Sequence, residues 1–167
     1  MIDMIRLLLF PALMAFAASS DLFTMTISNK VSLALAAGFL VMALVIGMSP
    51  GEIGMHVAAA AAVLVVAFVF FTRGWVGGGD AKLAAAISLW LGFDHLLQYL
   101  LDAALLGGAL TLLLINFRLL PLPPSVGRWA WVARLHEKKG GVPYGIALAA
   151  AALIVYPDTI WMKPLGS

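Results

Sequence analysis

Gly74-Trp75-Val76-Gly77-Gly78-Gly79-Asp80-Ala81-Lys82 (GWVGGGDAK) separates two apolar runs in a chain that is otherwise built for lipid. How often the chain crosses a membrane turns on this stretch. The run that follows, residues 81–93, is short. From Asp80 to Phe93 a helix covers roughly 21 Å at about 1.5 Å per residue, against a hydrocarbon core of about 30 Å. Either the glycines enter the membrane region and complete a span, or the segment is re-entrant. The stretch also sets an acid at the mouth of an apolar segment, where a carboxylate is costly unless it has a role.

Working outward, the chain has 167 residues, 63% hydrophobic and only 11% charged. That is too apolar for a soluble domain and marks an integral membrane protein. Apolar runs cover residues 4–20, 31–48, 55–71, 81–93, 96–117 and 142–161, most of them near the ~20 residues a span requires. Ser49-Pro50-Gly51, the glycine cluster and Pro121-Leu122-Pro123-Pro124 divide them with turn signals. There is no internal repeat and no separable second domain. Residues 1–167 read as one all-α polytopic bundle of six transmembrane helices. The alanine tracts at 58–62 and 149–152 predict close helix packing. A net charge of +2 is too small to point to nucleic acid. The absence of cysteine excludes a disulfide, a thiol nucleophile and a Cys-ligated metal.

Six spans with the amino terminus outside place Lys30, Arg73, Arg118, Arg128, Arg134, Lys138 and Lys139 in inner loops, and only Arg6 and Lys163 outside. This is a positive-inside bias. A re-entrant fourth run would turn the loop at 118–139, with five of those cations, outward. The first run also has features of a secretory signal, with Ala17-Ala18-Ser19-Ser20 as a cleavage site. Asp3 cancels Arg6 in its n-region, however, and cleavage would require the inverted topology.

In this arrangement two acids share one layer: Asp21 ends the first span and Asp80 begins the fourth, both on the inner side. Asp3, Glu52, Asp94 and Asp158 fall near outer boundaries, Glu137 lies among cations, and Asp102 sits early in the fifth span. Two neighbouring carboxylates cannot both ionise easily. The ionised one can activate water while the protonated one polarises a peptide carbonyl and later donates to the leaving amine. Gly77, Gly78 and Gly79 then serve to adopt unusual dihedrals and admit a substrate backbone beside Asp80. The plainer alternative makes Asp21 a helix-end acid and Asp80 a helix N-cap paired with Lys82 or Arg73.

Gly77-Gly78-Gly79-Asp80 fits the G-x-G-D signature of membrane aspartyl peptidases, and with Ala81-Lys82-Leu83 and Trp90-Leu91-Gly92 it resembles the type IV prepilin peptidases. The likeness is to their small form, associated with tight-adherence (Flp) pilus assembly. In that family the first catalytic acid opens a motif of the type D-x(5)-I-P-N, matched here at Asp21, Ile27 and Asn29. Val142-Pro143-Tyr144-Gly145-Ile146-Ala147 resembles the opening of the family's last span. Ser28 stands where the motif has proline. Leu22, Phe23 and Met25 stand where basic residues often follow the first aspartate.

The resemblance implies Asp21 and Asp80 as catalytic acids, with Gly77, Gly78, Gly79 and Lys82 supporting substrate binding, and no metal or cofactor. It implies a prepilin-like precursor as substrate, cut at the cytoplasmic face of a bacterial inner membrane. Larger relatives carry a cysteine-bearing insertion linked to N-methylation. A chain without cysteine and with a short first loop should cut without methylating. The alternative is a non-enzymatic membrane scaffold or a small ion- or proton-coupled transporter with structural acids. Inverted repeats expected of most carriers are absent. GGGDAK lacks the P-loop spacing, and His56, His95 and His136 are scattered too widely to predict a metal site. The loop at 117–141, with Trp129 and Trp131 among cations, reads as an amphipathic piece anchoring the fold on anionic lipid.

Overall fold

The computed structural model of the chain describes residues 2–138 and 140–163, so Lys139, counted above among the inner cations, lies outside the described residues. Seven α-helices follow in order: α1 Ile2–Thr24, α2 Asn29–Val45, α3 Pro50–Thr72, α4 Gly78–Leu119, α5 Pro124–Gly127, α6 Ala130–His136 and α7 Tyr144–Val155. Two short 3-10 turns, Tyr156–Asp158 and Ile160–Met162, follow α7, and no strand occurs among the described residues.

Local chemistry explains the boundaries. Ser49 and Glu52 form a reciprocal capping box at the start of α3, with the Ser49 N–H donating to Glu52 Oε2 at 2.7 Å and the Glu52 N–H to Ser49 Oγ at 3.3 Å. Gly74 stops the same helix. Its φ of +71° lets the Gly74 and Trp75 N–H groups return to Phe71 and Phe70 carbonyls, the pairing of a glycine-ended helix. The opening stretch is thus divided: Gly74 ends α3, Gly77 is the N-cap of α4, and Asp80 sits in the first turn of α4.

Gly92 breaks α4, with φ 65° and ψ −175°. Tyr99 lies within electrostatic reach of Asp80, and Asp80, Ala84, Leu100 and Ala103 line one cavity. On a straight rod Asp80 and Tyr99 would stand about 28 Å apart. The chain therefore folds back at Gly92, and residues 78–91 and 93–119 are two arms of a helical hairpin. Ala81 and every residue from Leu83 to Gly92 are buried, and a helix apolar on all sides belongs in the interior. This accounts for the short fourth run: it is the central helix, surrounded by protein.

At the hairpin bend, Trp90 Nε1 donates to Leu35 O at 2.9 Å and Trp161 Nε1 to Trp90 O at 2.6 Å, while His56 Nδ1 bonds Leu89 O at 2.8 Å. Phe10, Phe39 and Tyr156 complete this aromatic cluster. A Cβ on Gly92 would stand 2.9 Å from His56 Cε1. Gly92→Ala is expected to lower stability by about 1–2 kcal/mol from the left-handed backbone alone, and further by displacing His56. Thermal unfolding in detergent checks this beside Gly108→Ala, whose Cβ would meet nothing within 4 Å. Equal midpoints would mean that the bend does not depend on Gly92.

Among the described residues, three helical segments are long and apolar enough to cross a membrane: Leu7–Thr24, Pro50–Thr72 and Gly78–Leu119. Asn29–Val45 and Tyr144–Asp158 are apolar but shorter. Large apolar side chains such as Leu44, Val65, Leu97, Leu105 and Leu113 face outward, which suits lipid and not water. The protein is an all-helical membrane protein.

Candidate active site

The last turn of α1, the first turn of α4 and the start of α7 converge at one end of the bundle. Asp21, on the last turn of α1, is 4% exposed. Its Oδ2 accepts the backbone N–H of Gly145, the second residue of α7, at 2.7 Å. Asp80 is half-buried, with its carboxylate turned back toward the N–H of Gly77. The two carboxylates line the same cavity and lie within electrostatic reach of each other. The sequence placed these acids in one layer, and the fold brings them to one site.

Small residues make this approach possible. A Cβ on Gly77 would stand 3.0 Å from Asp80 Oδ2, one on Gly78 would stand 3.3 Å from the Phe71 ring, and one on Gly79 would stand 3.3 Å from Ile27 Cβ. The expectation of unusual dihedrals here is corrected. Gly77 is ordinary extended backbone (φ −69°, ψ 145°), and Gly78 and Gly79 are helical. These glycines supply room, not positive φ. Ile27 is the hub of the arrangement. It packs against Gly79 on one side, and on the other its Cδ1 would be 2.7 Å from a Cβ on Gly145. The chain leaves α1 through Met25 at φ 54°, a left-handed residue held by its N–H to Asp21 O at 2.8 Å.

The plainer pairing of Asp80 with Lys82 or Arg73 gives way to other contacts. Lys82 is exposed and donates from Nζ to Asn29 Oδ1 at 2.9 Å. Arg73 lies over the Trp75 ring, 5.7 Å from its centroid. The N-cap of α4 is Gly77, so Asp80 is a first-turn residue and not the cap.

From the acids a cavity of about 1190 Å³ continues between α3 and the second arm of α4, walled by Val63, Val66, Ala67, Leu100, Ala103 and Ala104. Small-molecule pockets are about 300–1,000 Å³, so this space suits a larger, apolar guest. Tyr144 closes one wall beside Asp21, its ring seated where a Cβ on Gly107 would overlap it. Two acids at the mouth of an apolar cavity can together hold, release and accept a proton.

Sequence reasoning did not find the Gly145 N–H as a partner of Asp21, Ile27 as the packing hub, or Tyr144 on its Gly107 seat. The signal available was the turn pair Pro143 and Gly145 ahead of an apolar run.

A model described as the type IV leader peptidase family matches residues 8–112, which include both acids and all three glycines. No curated protein and no solved structure matches the chain.

Proposed function

Since this chain belongs to the type IV leader peptidase family, and so is a membrane-embedded hydrolase of prepilin-type leaders, we propose that it is an aspartic-type endopeptidase with Asp21 and Asp80 as its acid pair. The observation that carries this reading is their shared position at the mouth of one apolar cavity, with Gly77 and Gly79 giving the space for it.

In the proposed reaction one carboxylate takes a proton from a water, whose oxygen attacks the scissile carbonyl carbon. The other gives its proton to the carbonyl oxygen. The tetrahedral intermediate collapses as the C–N bond breaks, a proton passes to the leaving nitrogen, and the pair is restored. The substrate is a Flp-type pilin precursor, an apolar helix preceded by a polar leader. The helix lies along Ala67, Leu100, Ala103 and Ala104, and the leader junction reaches the acids. Small side chains on that wall permit close helix approach. Gly78 lines the cavity and supports the leader, whereas Lys82, exposed and bonded to Asn29, is not among the lining residues and keeps only an outlying part in that support. With no cysteine, the chain is proposed to cut without methylating the new amino terminus.

We propose six spans, counting the two arms of α4 separately, with the acids at the cytoplasmic face of a bacterial inner membrane; the distribution of lysine and arginine supports this orientation. Two measurements test these proposals. Purified protein incubated with an Flp-type precursor should yield a product lighter by the leader. A folded protein that leaves the precursor intact would favour a scaffold or a transporter. In the naturally cysteine-free chain, Ser125→Cys should be shielded from impermeant thiol reagents in intact cells while Gly51→Cys labels. The reverse pattern would move the cut to the opposite face.

A further inference from the structure

The basic segment between α4 and α7 does more than carry charge. Arg118, at the end of the second arm of α4, is half-buried and its guanidinium is spent on backbone. Nε donates to Leu135 O at 2.8 Å and Nη2 to Gly141 O at 2.7 Å. Both acceptors lead to Asp21. Gly141 opens the short connection into α7, where Pro143 (φ −72°, ψ 79°) sits in a tight turn closed by the Tyr144 N–H on Val142 O at 2.8 Å. The next residue, Gly145, gives its N–H to Asp21. Leu135 belongs to α6, whose Arg134 donates from Nη1 to Phe23 O at 2.6 Å, two residues beyond Asp21. Trp131 of the same helix meets the Phe23 ring edge-on at 5.6 Å. Asp21 is thus reached from both sides by segments that meet on one guanidinium.

We propose that Arg118 is a positioning residue for the peptidase reaction: it ties the α6 segment that braces the end of α1 to the strap that delivers the Gly145 N–H to Asp21. This rests on the aspartic peptidase reading above. It adds a role for Arg118 to the lipid-anchoring expectation for the segment, which rests on Trp129, Trp131 and the other cations. The fork geometry matters. Two donors fixed in one plane can serve two carbonyls at once, whereas a lysine ammonium is a point charge on a flexible stem.

The test compares Arg118→Gln, Arg118→Lys and Arg128→Gln in the full-length protein reconstituted in bilayer discs. Among the described residues Arg128 makes only a local contact, Nε to Ser125 O at 3.5 Å, and its variant should behave as wild type. Arg118→Gln should lower kcat for precursor cleavage by about tenfold or more at nearly unchanged KM, since it disturbs an acid and not the apolar groove. Arg118→Lys should recover little of that loss. Amide hydrogen exchange supplies a readout that needs no activity: residues 142–146 should exchange about tenfold faster in both Arg118 variants. Full recovery by lysine would reduce the role to charge and overturn the proposal. So would unchanged exchange at 142–146, or a loss confined to protein yield with normal kcat. If wild type cleaves no precursor, the peptidase reading fails and the exchange data alone decide whether Arg118 holds the strap.

Discussion

Asp21→Asn and Asp80→Asn are each expected to reduce precursor cleavage by about a thousandfold or more, while the protein inserts and accumulates as wild type. Asparagine keeps the shape of each side chain, and at Asp21 it still offers an oxygen to the Gly145 N–H. What it loses is the ability to ionise and exchange a proton. The competing account gives Asp80 only a favourable place in the first turn of α4, worth about 0.3–1 kcal/mol of helix-dipole interaction. Under it, the Asn variants would cut normally. If the two acids act as a unit, the double variant should be no worse than either single one. Asp→Glu should fail nearly as badly, since an added methylene moves the carboxylate by about 1 Å, a displacement able to cost a hundredfold. Lys82→Ala should be milder, as it removes an exposed bond to Asn29 and leaves the acids in place. The measurement is product mass against time with protein level held equal. Normal processing by either Asn variant ends the acid-pair reading.

Of the eight acidic residues in the chain, the two that run lengths place in one layer, Asp21 and Asp80, line one cavity in the fold. Run lengths and turn signals located the apolar segments, and their alternation put residues 21 and 80 in one layer. The break between the fourth and fifth runs was visible too, because Asp94 and His95 interrupt the hydropathy. The bend itself was less so: the chain turns at Gly92, inside the apolar run, where His56 from α3 fills the space a side chain would need. Such a contact joins residues 36 positions apart and leaves no local pattern. The same holds for Arg118. In sequence it is one cation among several, and only the tertiary fold decides that it meets the Leu135 and Gly141 carbonyls. The glycines fall between these cases. Of the two expectations placed on their cluster, unusual dihedrals do not hold at Gly77, Gly78 and Gly79, while the room left by absent side chains is what the packing uses. Gly74 uses the first, and Gly77 and Gly79 use the second.

Gly145→Ala is therefore expected to be among the most damaging single-methyl additions in the chain. Its Cβ would stand 2.8 Å from Asp21 Oδ2 and 2.7 Å from Ile27 Cδ1, so either the acid or the hub must move. Ile27 is itself pressed against Gly79, where a Cβ would come within 3.3 Å of Ile27 Cβ and 3.5 Å of its carbonyl oxygen. The Cβ on Gly145 would also stand 3.1 Å from Asp21 Cβ, so a swing of the carboxylate alone does not relieve the contact. A displacement of the order of 1 Å at a reacting group costs about a hundredfold in rate, and that is the loss expected in cleavage for Gly145→Ala and for Gly79→Val. Gly77→Ala should be gentler, because the atom it meets is the far end of the Asp80 side chain, which can swing aside at some cost to its placement. A Cβ on Gly107 would overlap the Tyr144 ring, next to Gly145 in the chain, so a change there also disturbs the site. Gly108, one residue on and open on all sides, is the neutral comparison, and Gly108→Val should cut normally. Cleavage rate and thermal midpoint measured together separate the outcomes. A fall in rate beyond any fall in midpoint places these glycines in the geometry of the acids. Wild-type rates for Gly145→Ala would show that Asp21 works without the N–H that the start of α7 presents to it.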